Sequence, residues 1–502
     1  MTEYVEFHAR SAFSFLEGAS LPEFLMQRAA ELEMPAMALL DRNGVYGAPR
    51  FHMEGQKHGV RAHIGAEVAV SDLGERLRPA SYLPHQWPEE PVRLPLLAES
   101  RTGYKNLCRL ITRSKLRENT KAEGAARTND FEEFGAGLIC LTGGSEGPLA
   151  AALAQGGYDA ALDSVERLVS IFGFRNVYVE VQRHFDREEE HRNRAAIRIA
   201  RSLNLPLLAT GGVNYATEYE REILDVFTCI RHKTTLDRAG RLLSTNTERY
   251  LRAGDKMCQL FSDYPDAISN TGELSSRLTF EMTNLGYEFP AYGVPDGETM
   301  DSFLRKRVEE GIRSRYLPKN DPALYAKAKK QAEHELRVIE RLRLAGYFLI
   351  VWDIVHYCKD NGILVQGRGS AANSVVCYAL EITIVDSVGL DLLFERFLSL
   401  ERGEWPDIDI DLPSDTDRER AIQYVYRRYG ELGCAITANV TTYRHRSASK
   451  ETGKVLGFTE AETARISKLE TPWEWRGPKD TLENTFRVAG FDLRTTRNHA
   501  FE

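Results

Sequence analysis

Over the first 210 positions the apolar residues switch between two periods. Residues 37–40 form a short apolar run ending at Asp41, and residues 60–70 form a second that passes through Glu67. Runs of this length predict strands. Residues 21–32 repeat their apolar positions at helical spacing, with Ser20 at a capping position and Pro22 at the first helical position. From Ser71 to Pro95 the pattern fails, and Pro79, Pro84, Pro88, Pro91 and Pro95 predict an irregular surface insertion. Alternation then resumes, with strands expected at 138–142, 177–181 and 206–210 and helices at 160–172 and 187–203. Repeated βα units of this size predict an α/β barrel or a parallel sheet.

A more helical stretch follows. Asp321-Pro322 has the form of a cap followed by a first helical residue, and Leu324, Ala328, Ala332, Leu336 and Ile339 mark one apolar face. Gly346 is the expected stop. Residues 347–355 are strongly apolar and lead into a turn at Asp360-Asn361-Gly362.

Composition narrows the classes open to the chain. Its 502 residues predict about three to four domains. With 42% hydrophobic and 27% charged residues it can bury large cores. No apolar run approaches the roughly 20 residues that span a bilayer, and the N-terminus lacks the pattern of a secretory signal. Seven cysteines without a C-x-x-C pair exclude a zinc ribbon and a disulfide framework and suit a reducing cytoplasm. The net charge of -8 argues against a coat for nucleic acid, but the charge is unevenly distributed. Between Asp386 and Asp417 ten acidic residues face two basic ones, a net of -8; between Arg418 and Lys454 eight basic residues face three acidic ones, a net of +5. Tyr424, Tyr426, Tyr429 and Tyr443 interleave the basic block, which suits a nucleic-acid backbone and equally a solvated helix face over core tyrosines.

The run Pro406-Asp407-Ile408-Asp409-Ile410-Asp411-Leu412 alternates with period two, which sets three carboxylates on one strand face and three aliphatic side chains on the other. Neighbouring carboxylates on such a face repel by about 2.5 kcal/mol at an effective dielectric of about 20. A bound cation relieves that repulsion, and oxygen-only ligands select Mg²⁺ or Mn²⁺; an acidic edge strand guarding against aggregation is the bland alternative. Upstream, Gln366-Gly367-Arg368-Gly369-Ser370-Ala371-Ala372-Asn373-Ser374 precedes an apolar stretch. Its glycines let backbone approach a ligand, a helix opened by small residues offers N–H groups to phosphate, and Arg368 adds a guanidinium fork. Without a following Gly-Lys-Ser/Thr it is not a Walker A loop. Together the two segments supply what nucleotidyl transfer requires, a triphosphate cradle and carboxylates for divalent ions.

Several blocks carry a resemblance. Gly346-Tyr347-Phe348-Leu349-Ile350-Val351-Trp352-Asp353, Gly367-Arg368-Gly369-Ser370, Leu392-Leu393-Phe394-Glu395-Arg396-Phe397-Leu398 and Asp407-Ile408-Asp409 resemble, in order, the palm of bacterial DNA polymerase III alpha subunits, a polymerase beta-like nucleotidyltransferase fold. Cys140-Leu141-Thr142-Gly143-Gly144, Gln182-Arg183-His184-Phe185-Asp186 and Asp225-Val226-Phe227-Thr228-Cys229-Ile230-Arg231 are similar to the error-prone branch of that family. The resemblance implies an α/β chain: a distorted βα-barrel PHP domain over residues 1–271, a palm over 272–417 and a partial helical thumb with a basic DNA-contacting segment over 418–502. It implies that Asp407 and Asp409 are catalytic and bind Mg²⁺ (or Mn²⁺), that Arg368, Gly369 and Ser370 bind the triphosphate, and that the partners are primer-template DNA and deoxynucleoside triphosphates. The implied activity is error-prone synthesis in DNA replication, repair of DNA damage and translesion synthesis. The family's third catalytic carboxylate comes from a later strand, and the sequence stops at Glu502 before it. The expectation is therefore a chain whose active site a separate chain or a further C-terminal region completes.

In the PHP-like part the family's metal pattern is degraded. The opening H-x-H reads His8-Ala9-Arg10, the strand-end Asp-His reads Asp41-Arg42, and the late Asn-Asp-x-His reads Gly211-Gly212-Val213-Asn214, while Glu67 and His184 keep ligand-like positions. Arginine stays protonated and ligates no metal. His8, Asp41, Glu67 and His184 are thus expected to be remnants that hold no ion, and the domain to act as scaffold. Two alternatives remain at this stage, a PHP-type metal-dependent phosphoesterase and a non-catalytic DNA-binding fragment.

Overall fold

The computed structural model describes residues 4–75, 91–117, 124–283, 285, 289–317, 319–399, 406–430, 433–437, 439–469 and 490. The chain divides into two compact units, one comprising residues up to Leu285 together with those from Thr442, the other Gly286–Thr441. A break at residue 271 would cut the helix Pro265–Arg277, and one after 417 would cut the helix Thr416–Tyr429.

The first unit is built on a six-stranded sheet in sequential order, β1 (Ala36–Arg42), β2 (Arg61–Glu75), β3 (Pro91–Ala98), β4 (Leu138–Leu141), β5 (Val177–Gln182) and β6 (Leu207–Thr210). β1 pairs with β2, β4 with β5 and β5 with β6 in parallel, whereas β3 runs antiparallel to both its neighbours. The segment around residues 6–10 bridges β1 through Glu6 and Met37 and the chain after β6 through Ala9 and Val213, so it links the two edges and curls the sheet toward a barrel. Strands buried on both faces need continuous apolar runs, and β4 and β5 are buried along their whole length.

The strands lie where the hydrophobic periods predict them, with three local corrections. Pro91 and Pro95 belong to β3 rather than to an irregular insertion, Pro91 as its first residue, where a missing N–H is tolerated; Pro79, Pro84 and Pro88 fall outside the described residues. Ser20 does not cap the first helix, Pro22–Glu31, whose N-cap is Leu21. Its hydroxyl instead donates to Glu220 and accepts from the Ala216 N–H. The helix expected at 160–172 is the second half of Pro148–Phe172, which bends at Gly157, where φ is +74°.

The second unit is mostly helical around a two-stranded sheet. Asp321 caps the helix Pro322–Arg341 by accepting from the Leu324 N–H, as expected. Gly346, however, does not end that helix. It lies inside the next one, Ala345–Asp360, where a Cβ would come 2.5 Å from the Pro290 carbonyl oxygen. The helix Thr416–Tyr429 is tied to Ala345–Asp360 through Asp353, whose carboxylate accepts from the hydroxyls of Tyr292 (3.1 Å), Tyr424 (2.7 Å) and Tyr429 (2.8 Å). Tyr424 also stacks on Tyr357 with ring centroids 3.8 Å apart. Two tyrosines of the basic block are therefore engaged in packing rather than presented to a ligand. Asp353→Ala is expected to cost about 2 kcal/mol, since three hydroxyls lose a charged acceptor. Urea unfolding and faster amide exchange in Thr416–Tyr429 would register the loss.

Thr459 and Glu462 form a capping box at the start of Glu460–Leu469. None of the seven cysteines forms a disulfide among the described residues. No helix among the described residues is long and apolar enough to cross a membrane.

Candidate nucleotidyl-transfer site and the degraded PHP site

The two polar motifs of the second unit are hydrogen-bonded neighbours. β7 (Gln366–Arg368) pairs antiparallel with β8 (Asp409–Asp411), which sets Arg368 opposite Asp409 and Gln366 opposite Asp411. The alternation read from the sequence is realised. Asp407, Asp409 and Asp411 are exposed, Ile408 is buried, and Ile410 and Leu412 are half-buried. Tyr347 fixes this strand through its hydroxyl, which accepts from the Ile408 N–H at 3.1 Å.

The three carboxylates are not equivalent. Arg368 Nε lies 3.3 Å from Asp411 Oδ1, so that charge is partly balanced. Asp407 and Asp409 form no ion pair with any described residue. Two uncompensated carboxylates on one strand face are an oxygen donor set that suits a hard divalent cation. Among the described residues no group of three or more His, Cys, Asp or Glu side chains is arranged to hold a metal, so the pair would need further oxygen donors.

Two glycines beside the pair have structural reasons, close approach at Gly367 and a positive φ at Gly369. A Cβ on Gly367 would come 2.5 Å from the Ile382 carbonyl oxygen. Gly369 has φ +70°, and its Cβ would point at Asp409 Oδ2, 3.4 Å away. Gly369 and Ser370 open a 3₁₀ turn, Gly369–Asn373, rather than an α-helix. The α-helix starts later, at Val375–Ala379, and its first N–H groups are not available to phosphate. Glu335 takes them. Its carboxylate accepts from Val375 N–H (3.1 Å), Val376 N–H (3.0 Å), the Ser374 hydroxyl (2.7 Å) and the Gln331 amide (3.1 Å). Glu335 is fully buried, and burial pushes its pKa up to about 7 despite these donors. The helix behind the Gly369-Ser370 turn therefore has its Val375 and Val376 N–H groups already taken. The motif reading missed Glu335, although its position on the apolar face of Pro322–Arg341 was the available signal.

In the first unit His8, Asp41, Glu67 and His184 are each held by protein partners. His8 lies between two carboxylates, with Nδ1 2.6 Å from Glu180 and Nε2 2.6 Å from Glu67. Burial works against its charge, but Glu180 and Glu67 outweigh it and hold the pKa at about 10. Arg10 stands where the second histidine of H-x-H would be. Its Nε donates to Glu67 at 2.5 Å and its guanidinium also pairs with Glu146. Burial opposes ionisation of Glu67, yet Arg10 and His8 hold its pKa at about 2. Asp41 is satisfied locally by the Ser11 and Ser14 hydroxyls and the Ser11 N–H. His184 sits between Glu189 (2.7 Å) and the Gly211 carbonyl (2.7 Å). The Arg10 guanidinium thus sets positive charge between Glu67 and Glu146, and Glu17 and Arg93 complete the network.

Sequence comparison converges with this geometry. Residues 6–184 match the PHP domain family, and residues 302–499 match the bacterial DNA polymerase III alpha NTPase domain family. Residues 302–499 are thus similar to the bacterial DNA polymerase III alpha family, and residues 6–184 to the PHP family. The chain's relatives include proteins named error-prone DNA polymerase: one from Mycobacterium bovis is 40% identical over 482 residues, covering 96% of this chain and 43% of the relative. Another, from Nocardia farcinica, is 38% identical over 536 residues, covering 99% of this chain and 46% of the relative. The chain therefore spans less than half the length of these curated relatives. Among solved structures, a putative metal-dependent phosphoesterase from Bifidobacterium adolescentis aligns with 42% of this chain and 88% of its own, at 12% identity and a TM-score of 0.28.

Proposed function

We propose that the chain carries the nucleotide- and metal-binding part of an error-prone DNA polymerase, which adds deoxynucleotides to a primer 3′-hydroxyl on a DNA template in the cytoplasm. The observation that carries this reading is the β7–β8 pairing, which joins Arg368 and the Gly369-Ser370 turn to the uncompensated carboxylates Asp407 and Asp409. Asp407 and Asp409 would hold Mg²⁺ or Mn²⁺, which when bound supplies charge neutralisation for the attacking and leaving oxygens. Arg368, freed from Asp411, offers its guanidinium to the triphosphate, while Gly369, whose positive φ favours glycine, places no side chain beside Asp409. Asp411 serves as the resting partner of Arg368 rather than as a ligand. The PHP-like part acts as scaffold, because Arg10 already neutralises Glu67 and Glu146; this disfavours the phosphoesterase alternative.

The test uses iron-directed cleavage and primer extension. With Fe²⁺ replacing Mg²⁺, backbone scission is expected beside residues 407–409 in the wild type and not in Asp409→Ala. In the polymerase extended to the length of its relatives, Asp407→Ala and Asp409→Ala are each expected to lower nucleotide incorporation at least about 1,000-fold, as befits loss of a two-metal ligand. Incorporation that survives both substitutions would refute the assignment. DNA binding by the chain should weaken as salt rises, with a log–log slope that counts the phosphates contacted.

A further inference from the structure

Asp407 and Asp409 are held in different ways. Asp409 belongs to the sheet: it begins β8, opposite Arg368, the last residue of β7. Gly369 then leaves the ladder at φ +70°, so no residue of β7 stands opposite Ile408 or Asp407. Among the described residues one hydrogen bond reaches residues 406–408, the one that the Ile408 N–H donates to the Tyr347 hydroxyl at 3.1 Å. That N–H belongs to the planar peptide unit that starts at the Asp407 Cα, so anchoring it fixes the point from which the Asp407 side chain departs. Ile408 is buried, and a buried N–H that loses its partner is costly.

Tyr347 is itself firmly placed. It lies in the first turn of the helix Ala345–Asp360, between the buried residues Gly346 and Phe348. The bare Cα of Gly346 lets this turn approach the Pro290 carbonyl. The tyrosine ring packs edge-on against Phe289, with centroids 5.5 Å apart, and against Phe348 at 6.0 Å. Burial pushes the phenol's pKa up; the Ile408 N–H works against this, and the charges of Asp407 and Asp409 add to the rise. The group is therefore a neutral hydroxyl near both carboxylates, bonded to the backbone between them. A side chain fixed in this way can set the position of a metal-binding carboxylate without being a ligand.

We propose that Tyr347 is a positioning residue for the divalent-metal pair, holding Asp407 beside Asp409 through the Ile408 peptide. The inference rests on the reading of Asp407 and Asp409 as the metal-binding carboxylates. It makes the pair asymmetric: the sheet places Asp409, and a side chain from a separate helix places Asp407.

Tyr347→Phe keeps the ring and removes only the hydroxyl, and two measurements on the chain test its effect. In EDTA, hydrogen exchange read residue by residue by fragmentation mass spectrometry should be about fivefold faster at the Ile408 amide, the loss of one neutral hydrogen bond, while the amides of Ala345–Asp360 keep their wild-type rates. In iron-directed cleavage, half-maximal scission beside residues 407–409 should need about fivefold more Fe²⁺ than in the wild type, on the same basis. A tyrosine that merely supports the fold would instead speed exchange along the helix and leave the Fe²⁺ requirement unchanged. Wild-type exchange at Ile408, or a wild-type Fe²⁺ requirement, in Tyr347→Phe would overturn the role of Tyr347 and leave the assignment of the two aspartates standing. Should the variant not fold, the wild type decides: an Ile408 amide exchanging at the free-chain rate overturns the proposal, and a protected one supports it. Absence of scission in the wild type would overturn the assignment of the aspartates, and this proposal with it.

Discussion

Glu335→Gln is expected to destabilise the second unit by about 3 kcal/mol, a large loss for a change of one atom. The four groups around this carboxylate are all donors: two backbone N–H groups, the Ser374 hydroxyl and the Gln331 amide. The Ser374 hydroxyl is itself committed, since it accepts from the Cys377 N–H and so must give its proton to Glu335. Above about pH 7, where Glu335 is ionised, a glutamine would turn its NH₂ toward donors and leave at least one buried N–H unpaired, at roughly 1–3 kcal/mol for each orphaned group. Thermal unfolding should fall by about 10 °C. Because burial raises the pKa of Glu335 to about 7, the folded state binds a proton that the unfolded state has released between about pH 4.5 and 7. Stability should therefore decline as pH rises across that window, by about 3 kcal/mol in all. Glu335→Gln removes this slope. A variant with unchanged stability and an unchanged pH slope would show that Glu335 does not hold the helix behind the Gly369-Ser370 turn.

The elements legible in the sequence share one property: their side-chain pattern is enforced by the backbone itself. The period-two run at residues 407–412 could only put its aspartates on one face, and the structure has Ile408 buried with Asp407 and Asp409 exposed. Asp321-Pro322 started its helix for reasons contained in those two residues. What was not legible depended on partners far away in the chain. Ser20 has the chemistry of a cap, but a glutamate 200 positions later claims its hydroxyl. The small residues after Arg368 look like a helix N-terminus open to phosphate, yet the α-helix begins at Val375 and Glu335 has already filled it. Gly346 looks like a helix stop, but it is a helix-interior glycine required by the approach of Pro290. At the PHP-like positions Arg10 and Arg42 stand out in the sequence as residues that ligate no metal. The network around them does not, because Glu17, Arg93 and Glu146 come from separate elements.

That network gives the second large expected effect. Arg10→Ala should cost about 3–5 kcal/mol, the range for removing one partner of a buried ion pair. Arg10 is mostly buried, and its removal takes away the guanidinium that Glu67 and Glu146 share, while His8 stays on Glu67 and Arg93 on Glu146. The pH profile makes the effect specific. The raised pKa of His8, about 10, means its contribution is fully present below about pH 6.5 and is lost as pH rises toward 10. The depressed pKa of Glu67, about 2, means its contribution is present above about pH 4.5 and is lost as pH falls toward 2. The network is thus at full strength between about pH 4.5 and 6.5. Without the Arg10 guanidinium the pKa of Glu67 should rise, so the acid limb of the unfolding curve should move to higher pH while the alkaline limb stays with His8. The vacated position should also accept charge from outside, and Mn²⁺ should recover part of the lost stability in Arg10→Ala but none in the wild type. Scanning calorimetry across pH, with Mn²⁺ and with EDTA, measures each of these. An Arg10→Ala variant with a wild-type acid limb and no response to Mn²⁺ would mean that the arginine merely fills space and does not substitute for a metal ion.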